Sequence, residues 1–237
     1  MDRDRVQRAL DDAETRLTES DDLADYLAYL IGTCEAALEV DAVGVMVRSV
    51  GGGLALLAAS THRSAELELH QSQIDEGPCV DAADGDDPVA VAGESVIRRR
   101  WPRFGPAMVD AGFLAVHSAP LRSARSPFGA MALFRRDEIA FEQAEDQAAQ
   151  GFADLVSRAV LADQNAEPES VHQLVDAALG SRVEIERAKG ILAQVAGVDM
   201  AEAYQLLLAR AADRGESLTV TAEGLVDDVL RGEISPG

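Results

Sequence analysis

Strand-like segments fill only the first 136 residues of this chain, and none recurs beyond the break formed by Asn165, Glu167 and Pro168. Proline denies the helical conformation to the residue before it, so a helix ending near residue 163 cannot continue through Glu167. The chain therefore divides into a mixed unit and an all-helical one. In the first, VGVMVRS (43–49) and LALLAAS (54–60) flank the glycine turn VGGG (50–53) and read as a β-hairpin. A short strand at 88–91 follows, and then LAVHSAPL (114–121) and GAMALFRR (129–136) surround a turn. Apolar residues at helical spacing mark 3–38, as two segments meeting near Ser20, which with its two following aspartates reads as a helix cap; a polar stretch with helical spacing follows at 62–71, and 102–111 and 142–163 also read as helices. Hairpins and single helices without a regular βα repeat predict an antiparallel sheet with helices segregated on one side, an α+β fold.

After Pro168 the pattern is helical throughout. One long helix is expected over 169–196 with Gly197 at its end, a second starts at a capping box of Asp199 and Glu202 and stops at Gly215, and a third spans 218–231. The expected organisation is an N-terminal helix (1–19), a sensor-type domain (20–163), a linker (164–168) and an all-α three-helix domain (169–237). A length of 237 residues suits one large and one small core.

Composition narrows the function classes. The two cysteines, Cys34 and Cys79, offer neither a C-x-x-C pair nor a disulfide framework, and His62, His70, His117 and His172 lack metal-site spacing. No metal is expected. The start MDRDRVQRALDDAETRL is too charged for a signal peptide, and no apolar run nears the ~18 residues of a membrane span, so a cytoplasmic protein without membrane contact is expected. A formal net charge of −21 opposes broad nucleic-acid binding, because phosphate attraction dominates that affinity. Any contact with RNA must be local. Lys189 is the only lysine in the chain, and charges balance between 182 and 214 while the remainder is acidic.

The segment SRVEIERAKGILAQVAGVDMAEAYQLLLARAADRGESLTVTAEGLVDDVL (181–230) resembles the ANTAR family, through AKGIL (188–192), EAY (202–204), and Leu218 leading into Ala222. The resemblance implies a domain that binds paired hairpins in nascent transcripts and prevents transcription termination. Arg182 and Lys189, seven apart, project from one face of a helix, and Arg210 and Arg214 form a second pair. With Arg187 and Gly190 they are the candidate RNA-binding residues. The plainer alternative is a solvated face in which Arg182, Glu186 and Lys189 form intrahelical ion pairs. Leu208 departs from the family, which often carries a basic residue there.

Upstream, DEGPCVDA (75–82), RWPRFGPAMVDAGF (100–113) and the strand pair SAPLRS…PFGAMALFRR resemble the GAF domains that precede ANTAR domains in actinobacterial-type regulators, over roughly residues 20–162. The resemblance implies a sensor of small molecules, redox state or protein partners, with no cofactor named and an unidentified small-molecule ligand. Cys79, Trp101, Phe104 and His117 are the candidate sensor-pocket residues. Cys79 reads either as a redox-responsive thiol or as an inert packed cysteine, and the run Arg98, Arg99, Arg100 and Arg103 beside Trp101 either as a holder of a phosphate-bearing ligand or a stacked base, or as a solvated loop around a buried Trp101. No phosphate loop, G-x-S-x-G or Cys/His pair is present, so no enzyme is expected.

Positions 171, 174, 178, 181, 185, 188, 192 and 195 alternate in steps of three and four, and seven of the eight are apolar. Such a seam pairs helices, and from Ile185 onward it has the two following helices as an alternative partner. A homodimer joined through Val171, Leu174 and Ala178 is therefore expected, with RNA hairpins and a signalling protein as partners. The competing reading is a protein-interaction adaptor with a GAF ligand or redox sensor and no RNA binding.

Overall fold

The structure is a computed structural model that describes residues 2–20, 22–49, 51–85, 87–123, 126–161 and 168–231, with the backbone alone described at 168–172 and 201. Helices α1 (Arg3–Glu19) and α2 (Leu23–Leu38) open the chain. Ser20 terminates α1, and the cap of α2 is Asp22, whose Oδ1 accepts from the N–H groups of Ala24 (2.8 Å) and Asp25 (3.1 Å). The cap thus falls on the second of the two aspartates that follow Ser20. The hairpin β1 (Ala42–Arg48) and β2 (Leu54–Ala59) forms as expected, followed by α3 (His62–Ile74), α4 (Pro78–Gly85), β3 (Val89–Ala92), α5 (Glu94–Arg100), α6 (Phe104–Asp110), β4 (Ala115–Arg122), β5 (Pro127–Arg135) and α7 (Gln143–Leu161). The strands make one sheet in the order β2-β1-β5-β4-β3, every neighbouring pair antiparallel.

Helices cover both faces of this sheet, which corrects the expectation that they lie on one side. Val43, Val45, Val47, Leu121, Met131 and Leu133 pack against α1, α2 and α7, whereas Ala42, Met46, Val116, Ala132 and Phe134 pack against α3 to α6. The reason is visible in the strands: β1 is buried at six consecutive residues, and a strand with water on one side alternates instead. The α7 layer also contains a buried ion pair, Arg135 Nη2 to Glu145 Oε1 at 2.7 Å, with the guanidinium also donating to the Leu38 carbonyl at 3.2 Å.

Helix α8 (Pro168–Ala196) begins on its proline, the first-turn position where a missing N–H is harmless, and leads to α9 (Met200–Arg214) and α10 (Leu218–Leu230). Gly197 (φ 66°) and Gly215 (φ 62°) end α8 and α9 in the left-handed region. Ile185, Ala188, Leu207, Leu218, Ala222 and Leu225 form a separate small core, with Leu208 packed at its edge. The dimer seam is corrected here. Ala178 (6% exposed) and its neighbour Val175 (1%) are part of the core shared with α2 and α7, so the first half of α8 has intramolecular neighbours. Leu174 is half-buried, and the side chain of Val171 lies outside the described residues.

Candidate nucleic-acid interface and sensor core

The RNA-binding candidates divide between two faces of α8, because residues two apart differ by about 200° around a helix. Arg182 and Lys189 face the mixed domain. Arg182 Nη1 donates to the Leu57 carbonyl within β2 (3.1 Å), and Lys189 Nζ lies 2.9 Å from Glu186 Oε1 and 5.3 Å from the centre of the Tyr204 ring. Their side chains are only 21% and 18% exposed. Burial draws the Arg182 pKa down, against the pull of Glu186 3.8 Å away, so this cation is held in a place that disfavours its charge. The ion pairs of the plainer sequence reading are thus present, but in a cleft and not on a solvated face.

Arg187 is exposed and pairs with Glu184 at 2.9 Å, while Gly190 is open to solvent. On α9, Arg210 is half-buried and Arg214 is exposed, 3.8 Å from Glu216. Between the domains lies a cavity of about 750 Å³, with Leu27, Ile31 and Glu35 on one wall, Glu66 and Leu69 on a second, and Arg182, Lys189 and Tyr204 on the third.

The sensor-pocket candidates do not form one group. Cys79, Trp101 and Phe104 are fully buried on the α3–α6 side, the two rings in edge contact at 6.2 Å. Trp101 Nε1 donates to Asp81 Oδ2 (3.2 Å). His117 is on the opposite face, 3.1 Å from Asp146 of α7, because adjacent residues of a strand point to opposite sides. Its neighbour Ser118 faces Cys79 instead, and its hydroxyl donates to Sγ at 3.6 Å. Burial lowers the His117 pKa against the charges of Asp146 and Glu145, which act to raise it.

Sequence reasoning missed the groups that hold Cys79. Its N–H donates to Gln71 Oε1 (3.1 Å), its thiol donates to Glu68 Oε1 (3.7 Å), and Gln71 Nε2 donates to Glu68 Oε2. Gly44 of β1 leaves room for Glu68: a Cβ there meets the Glu68 side chain. Gly44→Ala is therefore expected to lower the melting temperature, by the roughly 1–3 kcal/mol typical of overpacking, and an unchanged melt contradicts that contact. Burial pushes the Glu68 carboxyl up to about 8 and the Cys79 thiol well above its ordinary value. A thiol kept protonated in this way is a poor nucleophile, which favours the inert reading of Cys79. The arginine run belongs to α5 and the turn after it, not to a free loop: Arg98 pairs with Glu94 (2.9 Å), Arg100 with Asp81 (2.9 Å), and Arg103 donates to the Ile74 carbonyl (2.9 Å). Carboxylates thus occupy two of the four arginines, Arg98 and Arg100, which counts against the phosphate reading of the run.

Residues 174–226 match the ANTAR domain family. The chain carries an ANTAR domain. The mixed domain in front of it has the GAF fold. It is similar to the GAF domain of a phosphoenolpyruvate-protein phosphotransferase from Coxiella burnetii, at 14% identity and a TM-score of 0.55 over 66% of this chain and 93% of that one. The chromophore-binding domain of an unusual bacteriophytochrome from R. palustris is similar at 14% identity and a TM-score of 0.52, over 70% and 64%. So is a free methionine-R-sulfoxide reductase from Neisseria meningitidis, at 13% and 0.50, over 71% and 90%. At such identities the likeness is one of fold. No curated protein matched the chain. Among the described residues no helix is long and apolar enough to cross a membrane.

Proposed function

We propose that this protein is a signal-responsive, non-enzymatic cytoplasmic regulator whose ANTAR domain binds paired RNA hairpins in nascent transcripts and prevents termination, under control of its GAF domain. The observation that carries the reading is the ANTAR match over α8 to α10, with Arg182, Arg187, Lys189, Arg210 and Arg214 within or beside it in a chain of net charge −21. Local cations in an acidic protein favour one RNA target over many, because the remainder of the surface repels phosphate. The signal is a small molecule or a protein partner reaching the GAF domain. RNA crosslinked to the full-length protein in cells, recovered and sequenced, is expected to be enriched in adjacent hairpins ahead of terminators. A profile equal to that of untagged cells contradicts the reading and leaves the adaptor alternative.

We keep a homodimer in the proposal, with Ala178 removed from its seam, since two ANTAR domains suit a two-hairpin target. Light scattering at micromolar concentration is expected to give twice the chain mass, and the single-chain mass with and without RNA contradicts it.

A further inference from the structure

Arg182 and Lys189 are turned toward the GAF domain, and the cavity they line is flanked by the carboxylates Glu35 and Glu66. A space of about 750 Å³ suits a small molecule, not an RNA backbone with its dense row of phosphates. Next to this cleft the two domains are joined by a second set of contacts. Asp22 Oδ2 accepts from the N–H of Thr219 (3.2 Å) and Asp25 Oδ2 from that of Leu218 (3.3 Å), so two GAF carboxylates occupy the first turn of α10. A helix N-terminus carries unpaired N–H groups and a partial positive charge, which makes it the natural seat for such groups. Asp22 thereby caps two helices at once, α2 with Oδ1 and α10 with Oδ2. Ala24, between Asp22 and Asp25 in the chain, packs on the ANTAR core.

A pivot is also present. Helix α8 is anchored in the GAF core through Ala178 and in the ANTAR core through Ile185, and Gly180 and Ser181 lie between. Nothing approaches the Cβ direction of Gly180, and Ser181 Oγ donates back to the Ala177 carbonyl at 3.4 Å. Glycine–serine pairs and such back-bonded serines are where helices bend.

We infer that the GAF domain holds the ANTAR domain closed against itself through a carboxylate latch, Asp22 and Asp25 on α10, and that this closure and RNA binding at Arg182 and Lys189 exclude one another. The inference rests on the RNA-binding reading. A bend at Gly180–Ser181 opens the latch and turns both cations outward.

The test uses the full chain and RNA selected by it from a randomised two-hairpin pool. Asp22→Cys with Thr219→Cys, tethered by a short bis-maleimide, fixes the closed form, while Cys34 and Cys79 are fully buried and spared. The same chain before tethering, checked by its thermal melt, is the control. Tethering is expected to weaken RNA binding at least tenfold. Asp25→Lys is expected to strengthen it several-fold, and Asp12→Lys, the same charge change on the exposed face of α1, to leave it unchanged. Gly180→Ala, which stiffens α8, is expected to weaken it. Equal affinity with and without the tether overturns the latch and leaves RNA binding intact. A pool from which neither wild type nor Asp25→Lys enriches any RNA overturns the RNA reading itself, and the latch as a control of RNA binding with it.

Discussion

Glu68→Gln is expected to flatten the alkaline limb of the protein's stability profile. The folded carboxyl titrates at about 8 because it is fully buried, and in the unfolded chain at its ordinary value of 4.5. Below that ordinary value both states hold the proton and the group does not affect stability. Between the two values the unfolded chain loses it and the folded protein keeps it, so stability falls by about 1.4 kcal/mol per pH unit. Above the folded value the loss is complete. Glutamine has no proton to lose, so the variant's advantage over wild type should grow from pH 5 to pH 8, reaching on the order of 4 kcal/mol in urea unfolding. Parallel profiles for the two proteins would mean that Glu68 is already ionised when folded.

Glu145→Ala should act in the opposite sense and nearly as strongly, with a loss of about 3–5 kcal/mol near pH 7, because Arg135 would keep its burial and lose its partner. Burial raises the Glu145 pKa, but hydrogen bonds from Arg135 and from the Glu142 N–H, with the arginine charge, hold it below the ordinary value. Its stabilisation is therefore present above pH 4.5 and is lost as pH falls through the depressed value. Together the two carboxylates place the stability maximum near pH 5. A loss below about 1 kcal/mol in Glu145→Ala would mean that water replaces the pair as readily as it does at a surface.

The parts of the fold that are local in sequence were legible in it. The hairpin around residues 50–53, the strands near 114–121 and 129–136, and the three helices after Pro168 follow from period, glycine and proline, and they lie where expected within a few residues. The short helices α4 and α5 were hidden: one is eight residues in which proline, glycine and two aspartates surround small apolar residues, the other a charged run with a single buried apolar residue, Ile97. Neither has enough turns for a period to emerge.

The site was less legible because it depends on partners far apart in the chain. His117 was placed with Cys79 through its apolar strand, but strand parity gives that position to Ser118, and parity is fixed only once the register is known. Glu68 and Gln71 are polar residues on a helix with a polar pattern, and only their position opposite Gly44 and Cys79 makes them core. Asp22 was readable as lying at a helix start, but its second role on Thr219 spans 197 residues. Arg182 and Lys189 were correctly placed on one helical face. Which way that face turns is set by Leu57, Ala24 and the α2 carboxylates, none of which the α8 pattern reveals.

The central claim is that this chain binds RNA with cations of α8. Its most direct test is the affinity of full-length protein for RNA selected from the two-hairpin pool, measured from about 50 to 300 mM salt beside Lys189→Ala. Affinity should fall steeply as salt rises, and Lys189→Ala should bind roughly tenfold more weakly, with a log–log slope shallower by about one, since one phosphate contact is gone. Failure to select any RNA, or equal affinity and slope in the two proteins, would contradict the account.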